Sequence, residues 1–165
     1  MVRAGILSDT HLEEPTHEFC DMAARAFADC DIIFHAGDIT GMAILEHFTR
    51  ATVHAVSGNM CGHRLQTVLP RQKKVIIDNQ VIGLCHGTGP RFNIEERVWA
   101  LFPDADCIIY GHTHQPVCES KGGVLFINPG SFQCTSRHGA PASYCILDIS
   151  AKGLKAQLKH IRVRT

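Results

Sequence analysis

The chain has 165 residues, with 16 Lys and Arg residues balanced by 16 Asp and Glu residues. This length fits one domain (1–165), which buries about 70% of its unfolded surface and needs no metal or disulfide to fold. Zero formal net charge argues against an extended nucleic-acid groove, since such grooves usually carry a basic excess. The unusual number is the 11 histidines.

The cellular setting follows from the cysteines and the apolar segments. The eight cysteines are dispersed without a C-x-x-C pair, which is typical of reduced thiols used as small core side chains. Asp9 and His11 interrupt the first apolar segment before it reaches the length of a signal peptide. No apolar run approaches the ~20 residues of a membrane helix. We therefore expect a cytoplasmic protein that does not bind membranes.

The first half of the chain alternates between strand and helix. The predicted strands are 2–7, 31–35 and 52–56, and the predicted helices are 16–28 and 41–49. Thr16 is the expected N-cap of the first helix. Alternation of this kind is typical of parallel βαβ units.

The second half is dominated by antiparallel signals. Asp78-Asn79 predicts a tight hairpin turn, and 151–153 connects a second hairpin. The predicted elements are strands 73–77, 80–85, 106–110, 123–127, 143–149 and 154–163, and a helix at 94–102. Parallel units followed by antiparallel pairs predict an α/β fold, a four-layer α/β/β/α sandwich of two mixed sheets flanked by helices.

Polar residues suited to metal binding follow five predicted strands. In chain order they are Asp9-Thr10-His11, Gly37-Asp38, Gly58-Asn59, His86-Gly87 and Gly111-His112-Thr113-His114. Because ligands of open α/β sheets bind at the carboxyl ends of the strands, we expect these pieces to converge. Oxygen and imidazole ligands without a thiolate motif suit Mn, Fe or Zn better than a structural zinc knot.

Each piece taken alone also has an ordinary structural explanation. Asp38 fits a helix N-cap, Asn59 fits a turn, and His86 fits a buried core histidine. His112 and His114 are more informative, because in extended backbone both imidazoles project to the same side. The metal-site prediction therefore rests on all five motifs occurring in this order after strands.

In that order the motifs resemble the calcineurin-like metallophosphoesterase superfamily, and the small size resembles its bacterial and archaeal phosphodiesterase branch, to which the retromer scaffold subunit is related. The resemblance extends over about 2–147 and includes Asn128-Pro129-Gly130-Ser131 and the segment 137–144. It implies that Asp9, His11 and His114 hold one divalent ion. Asn59, His86 and His112 would hold a second ion, and the Asp38 carboxylate would bridge the two.

The resemblance also implies a reaction. Two divalent ions about 3.5–4 Å apart lower the pKa of a bound water for in-line attack on phosphorus. Asp38 and Asn59 are the expected catalytic residues, and Mn is the first choice of metal, with Fe, Zn, Ni and Mg as alternatives. The expected substrate is a small phosphate diester, bound without extended nucleic acid or membrane; self-association is left open.

One departure concerns protonation of the leaving group. Larger relatives place a histidine after Gly-Asn, and the small branch commonly has an acidic residue at position 61, whereas this chain has Met60 and Cys61. Cys61, His63 and His138 are the candidate groups for protonating the leaving group. Cys61, Arg137 and His138 are the candidate substrate-binding residues, with packing or surface roles as alternatives. We expect the loops 87–93 and 120–123 to shape the pocket.

Two other functions compete with the phosphodiesterase. A scaffold similar to the retromer subunit would bind a protein partner through a large exposed apolar patch. A nuclease is also compatible with the superfamily, but zero net charge and only one Trp and two Tyr argue against extended strand binding.

Overall fold

Residues 1–133 and 141–161 are described by the structure, a computed structural model. In chain order the elements are β1 (Val2–Leu7), α1 (His17–Ala26), β2 (Ile32–His35), α2 (Ala43–Glu46), β3 (Thr52–Ala55), α3 (His63–Val68), β4 (Gln72–Ile77), β5 (Gln80–Cys85), α4 (Ile94–Leu101), β6 (Cys107–Ile109), β7 (Val117–Lys121), β8 (Val124–Asn128), β9 (Ser143–Ser150) and β10 (Gly153–His160).

The strands form two five-stranded mixed sheets. The first has the order β10-β9-β1-β2-β3, in which β1, β2 and β3 are parallel and β9 and β10 are antiparallel additions. The second has the order β4-β5-β6-β8-β7, with a parallel centre (β5, β6, β8) and an antiparallel strand at each edge. The parallel strands of each sheet end on the side where the predicted ligands follow.

Alternating side chains divide the core into three layers. Ala4 and Ile6 of β1 pack in one buried cluster with residues of the second sheet, such as Ile109. Leu7 faces the other way and packs with Phe19 of α1. The outer face of the second sheet packs against α4, whose Val98 is buried. The period-2 alternation of strand side chains therefore produces the four layers, as predicted.

Several local predictions are confirmed and others are wrong at the boundaries. The Thr16 hydroxyl accepts a hydrogen bond from the backbone N–H of Phe19 at 3.1 Å, as expected of an N-cap. The helix predicted at 41–49 shrinks to α2, and Met42, not Asp38, is its N-cap. Helix α3 and strand β7 were not predicted, because α3 buries only Leu65 and β7 is a mostly exposed edge strand.

Two further observations concern membranes and thiols. No helix among the described residues is long and apolar enough to cross a membrane. The seven cysteines within the described residues are free thiols, four of them buried.

Candidate metal centre

The loops that follow β1, β2, β3, β5 and β6 meet at one edge of the two sheets and bring all seven predicted ligands together. Among them Asp9, Asp38 and His86 are buried, whereas Asn59 lies at the surface of the cluster. Two overlapping groups of potential ligand atoms form, one around Asp9, His11 and His114, and one around Asp9, Asp38 and His86.

The first ligand group consists of Asp9, His11 and His114. The Nε2 of His114 lies 3.1 Å from Oδ1 of Asp9, and the Nε2 of His11 lies 4.0 Å from the same oxygen. This Oδ1 is buried and makes no hydrogen bond to a described residue. A buried carboxylate oxygen without a hydrogen bond is costly unless a cation satisfies it.

The three predicted ligands that remain besides Asp38 are Asn59, His86 and His112, and they are called the second ligand group; His86 also belongs to the cluster with Asp9 and Asp38. Oδ1 of Asn59 lies 3.2 Å from Nε2 of His86 and 3.0 Å from Nδ1 of His112. One amide oxygen therefore lies next to a ring nitrogen of each histidine.

Asp38 lies between the two groups. Its Oδ2 is 3.3 Å from Nε2 of His86 and 3.9 Å from Nε2 of His11, so one oxygen faces a ring of each group. Its Oδ1 accepts a hydrogen bond of 2.8 Å from the backbone N–H of Met60. This placement suits a bridging carboxylate.

Backbone carbonyls set the protonation of two histidine rings. The Nδ1 of His86 lies 2.7 Å from the Ala36 carbonyl oxygen, and the Nε2 of His112 lies 2.9 Å from that of Gly89. Because a carbonyl only accepts, each of these nitrogens must carry the proton. When these rings are neutral, Nε2 of His86 and Nδ1 of His112 present lone pairs to the single amide oxygen, Oδ1 of Asn59. Acceptors facing acceptors need a cation between them, so the donor set fits a divalent metal.

The electrostatics of the buried pair Asp38 and His86 favour a cation, either a proton or a metal ion, at Nε2 of His86. Burial alone would raise the pKa of Asp38, but its hydrogen bond and ion pair with His86 and the Met60 N–H lower it. Burial alone would lower the pKa of His86, but the carboxylates of Asp38 and Asp9 raise it. A metal ion and a proton compete for the same lone pair of His86.

The ligand loops are held in an unusual backbone conformation. Five of the predicted ligands have positive φ: Asp9, His11, Asp38, His112 and His114, with values from 50° to 69°. Such non-glycine residues are uncommon and cluster at functional sites. The extended backbone expected for 112–114 is therefore wrong. The two imidazoles reach the cluster from left-handed backbone, and each joins a different ligand group.

Two glycines permit the loops to approach the ligands. A Cβ atom on Gly58 would lie 2.1 Å from Oδ1 of Asp38. A Cβ atom on Gly111 would lie 2.1 Å from Oγ of Ser8 and 2.8 Å from Oδ2 of Asp9. Glycine is therefore required at both positions for packing against the carboxylates.

Further buried polar residues hold the ligand loops in place. The Ser8 hydroxyl lies 2.6 Å from Oδ2 of Asp9, and the Ser131 hydroxyl donates to the Asp9 carbonyl at 2.9 Å. The Asn128 amide donates to the Gly111 carbonyl at 2.8 Å. His35 is fully buried and contacts Thr10 at 3.2 Å rather than a ligand carboxylate. The segment 128–131 thus fixes ligand loops of both sheets.

Arg97 of α4 fastens the loop 87–93 beside His112. Its guanidinium donates to the carbonyls of Thr88 at 3.2 Å, of Phe92 and Asn93 at 3.1 Å each, and of Pro90. The same loop provides the Gly89 carbonyl that contacts His112. Arg97 therefore acts on the second ligand group through the loop.

The candidate substrate-binding residues are placed less favourably. Cys61 is 4% exposed and packs in the core beneath α1 and α3, with its sulfur 3.2 Å from the Gly58 N–H, which favours the packing alternative. Arg137 and His138 lie outside the described residues. The prediction that 120–123 shapes the pocket is wrong, because this turn precedes β8 and so lies at the opposite end of the sheet.

The groups that support the ligands without being ligands were not predicted from the sequence. Ser8, Arg97 and the carbonyls of Ala36 and Gly89 were not predicted, because backbone carbonyls carry no sequence signal. Only the position of Ser8 could have indicated its role, because Ser8 directly precedes Asp9 after the end of β1.

Comparisons with known proteins agree with this geometry. The family model of the calcineurin-like phosphoesterase superfamily domain matches residues 2–152. The chain therefore belongs to this superfamily of phosphoester hydrolases, as the motif order predicts.

Relatives with assigned names are phosphoesterases. A probable metallophosphoesterase from Methanothermobacter thermautotrophicus is 38% identical over 131 residues, which cover 77% of this chain and 75% of the relative. A phosphodiesterase from Methanocaldococcus jannaschii is 29% identical over 166 residues, covering 92% and 95% of the two chains. A phosphodiesterase from Escherichia coli K12 is 40% identical over 78 residues, covering 46% and 39%.

Solved structures share the fold. An archaeal phosphodiesterase superposes with a TM-score of 0.72 at 26% identity, covering 96% of this chain and all of the other. Wild-type Vps29 from Entamoeba histolytica, in complex with Zn²⁺, superposes with a TM-score of 0.75 at 22% identity, covering 97% and 98%. The Vps29 likeness shows the fold alone.

Proposed function

We propose that the protein is a metal-dependent phosphodiesterase with a dinuclear centre. The observation that carries this proposal is the pair of ligand groups joined by Asp38. Oδ2 of Asp38 lies 3.3 Å from Nε2 of His86 and 3.9 Å from Nε2 of His11, and Oδ1 of Asp9 is buried without a hydrogen bond to a described residue. The relatives named phosphodiesterase support the substrate class. Asp38 and Asn59 are the proposed catalytic residues.

The protein side chains divide the work at this centre. Asp9, His11 and His114 would hold the first ion, Asn59, His86 and His112 would hold the second, and Asp38 would contribute to both. When bound, a pair of divalent ions supplies Lewis acidity that activates water and neutralises the phosphate. The Ala36 and Gly89 carbonyls fix the rings of His86 and His112, so that their lone pairs stay directed at the site.

The missing acid favours easily cleaved esters. Met60 occupies the position of the histidine that larger relatives place after Asn, and the thiol of Cys61 is buried. Neither Met60 nor the buried thiol of Cys61 is therefore suited to protonate a poor leaving group. We propose substrates whose leaving alcohol departs without strong acid assistance.

The identity of the metal, the cellular location and the size of the substrate are also proposals. Manganese is the first choice of metal, with Fe, Zn, Ni or Mg as alternatives, because oxygen and imidazole ligands accept all of them. We propose a cytoplasmic enzyme acting on a small phosphate diester and not on extended nucleic acid or a membrane, as one domain whose self-association is left open.

The test is hydrolysis of a chromogenic diester, bis(p-nitrophenyl) phosphate, against the matching monoester with added Mn²⁺. We expect faster hydrolysis of the diester and loss of at least about 100-fold in rate for Asp38→Asn, which weakens the bridge. Full activity and two bound metals in Asp38→Asn would refute the bridging role. Faster hydrolysis of the monoester would refute the diester preference.

A scaffold is the second candidate function, favoured by exposed apolar side chains at the site. Phe92 is 72% exposed in the loop 87–93, and Met60 is 58% exposed next to Asn59. A protein that binds two metals yet hydrolyses neither ester would support this alternative. The exposed pair would then mark the partner surface.

A further inference from the structure

A cavity of about 450 Å³ opens beside the second ligand group. We propose that it binds one ester group of the substrate, and that this group is a planar aromatic or nucleoside-sized substituent. This inference rests on the proposed phosphodiesterase function and specifies its substrate class.

The cavity shares two residues with the proposed metal centre. Asn59 and His86 line the cavity and also belong to the second ligand group. A phosphate group held at the metal centre can therefore extend one substituent into the cavity without leaving the ligands. Its volume lies within the range of about 300–1,000 Å³ that is typical of small-molecule sites. A methyl or glycerol substituent would leave most of this space unfilled.

The walls suit a ring that is apolar on its faces and polar at its edge. Val98 and Leu101 of α4 supply an apolar wall, while Gln66 of α3 and Gln72 of β4 supply carboxamides. Carboxamides both donate and accept hydrogen bonds, as the edge of a heterocycle requires. Gln66 donates its amide N–H to the Cys61 carbonyl at 2.7 Å, so its orientation is already fixed.

One of the two arginines that line the cavity is available to a ligand. Arg97 is committed to the carbonyls of the loop 87–93. Arg71 precedes β4, is exposed, and forms no hydrogen bond or ion pair through its side chain among the described residues. A guanidinium can stack on a planar ring or pair with an anionic substituent. Arg71 therefore adds a contact for the same class of group.

Exposed apolar side chains on neighbouring elements fit the same class of ligand. Leu101 is 46% exposed at the end of α4, and Val68 is 61% exposed at the end of α3. Met60 and Phe92 lie on loops that border the cavity. Apolar residues at the edge of a polar metal site favour a substituent that carries a planar ring over a bare sugar or polyol.

The test compares the binding of three phosphates to the metal-loaded protein by calorimetry, without turnover. The probes are inorganic phosphate, phenyl phosphate and thymidine 5′-monophosphate. We expect phenyl phosphate and thymidine monophosphate to bind at least about 10-fold more tightly than inorganic phosphate. Leu101→Trp and Gln66→Trp fill the cavity from opposite walls, and each should remove this gain while leaving the affinity for inorganic phosphate unchanged. Ile76→Trp, at a 67% exposed position of β4 outside the cavity, is the matched control.

Each outcome bears on the cavity or on the proposed function separately. Equal affinity for the three probes would overturn the cavity proposal, and so would a gain that survives both tryptophan variants. The expected gain in a protein that hydrolyses no diester would overturn the proposed function and leave the cavity assignment standing. Failure to bind any of the three phosphates would overturn both.

Discussion

Oδ1 of Asn59 lies 3.0 Å from Nδ1 of His112, whose other ring nitrogen is 2.9 Å from the Gly89 carbonyl. Since that carbonyl fixes the proton on Nε2, the nitrogen that faces Asn59 carries a lone pair. In the proposed centre the amide oxygen and the imidazole nitrogen therefore bind the same ion, and either can be removed by substitution.

Replacing Asn59 tests the second ligand group directly. Asn59→Ala removes the oxygen, and we expect the second ion to bind at least about 10-fold more weakly while the first ion is unaffected. Asn59→Asp keeps an oxygen at the same position and should retain both ions. Metal titration against a competing chelator measures the two affinities. Equal second-ion affinity in wild type and Asn59→Ala would contradict the assignment.

Gly58→Ala tests the close approach of the β3 loop to the bridging carboxylate. The added Cβ meets Oδ1 of Asp38 at 2.1 Å, so the carboxylate or the loop must move. We expect a loss of about 1–3 kcal/mol in unfolding free energy and weaker binding of both ions. Gly62→Ala is the matched control, because its Cβ meets nothing within 4 Å and its φ is −60°. Because Gly62 is the N-cap of α3, where glycine is preferred to alanine, that control should leave metal binding unchanged and cost less than about 1 kcal/mol in stability. Normal metal binding by Gly58→Ala would refute this role of the glycine.

Arg97→Met tests whether the loop 87–93 supports His112. Losing the guanidinium removes several hydrogen bonds to exposed carbonyls, which water can partly replace, and we expect a cost of about 1 kcal/mol in stability. Faster proteolysis of the loop should accompany about 10-fold weaker binding of the second ion. The control is Arg25→Met, since Arg25 contacts a single carbonyl, that of Asp21, on the exposed side of α1. Unchanged second-ion affinity with a cleaved loop would separate the loop from the metal centre.

The buried His35 makes stability depend on pH. Burial lowers its pKa to about 3, against about 6.5 in the unfolded chain. Between these values the unfolded chain binds a proton that the folded protein does not. His35 therefore lowers stability as the pH falls from about 6.5 to about 3, at up to about 1.4 kcal/mol per pH unit.

His35→Gln removes this titration and keeps a polar group next to Thr10. Denaturant unfolding of the metal-free proteins measures the free energy of unfolding of each. We expect the wild-type value minus the variant value to decrease steadily as the pH falls from about 6.5 to about 3. A difference that stays constant from pH 7 to pH 3.5 would show that His35 is not neutral in the folded protein.

Much of the architecture could be predicted because it follows from apolar periodicity. Strands β1 and β5 and the N-cap Thr16 lie where the pattern places them, since burial and capping depend on local sequence. Helix α3 and strand β7 expose most of their side chains, so no periodic signal marks them.

The ligand residues could be predicted for a different reason. Their positions after strand ends imply convergence, which the structure shows for all seven. The left-handed backbone of His112 and the contribution of the Gly89 carbonyl could not be predicted, because they depend on contacts between loops of distant sequence. The cavity beside Asn59 likewise could not be predicted, because residues of α3 and α4, distant in sequence, line it together.

The most direct test of the dinuclear phosphodiesterase is a titration of the metal-free protein with Mn²⁺, with bound metal and the rate of bis(p-nitrophenyl) phosphate hydrolysis measured on the same samples. We expect the rate to rise as the second ion binds and to reach a plateau at two ions per chain. A full rate at one ion per chain, or no hydrolysis with two ions bound, would contradict the proposal.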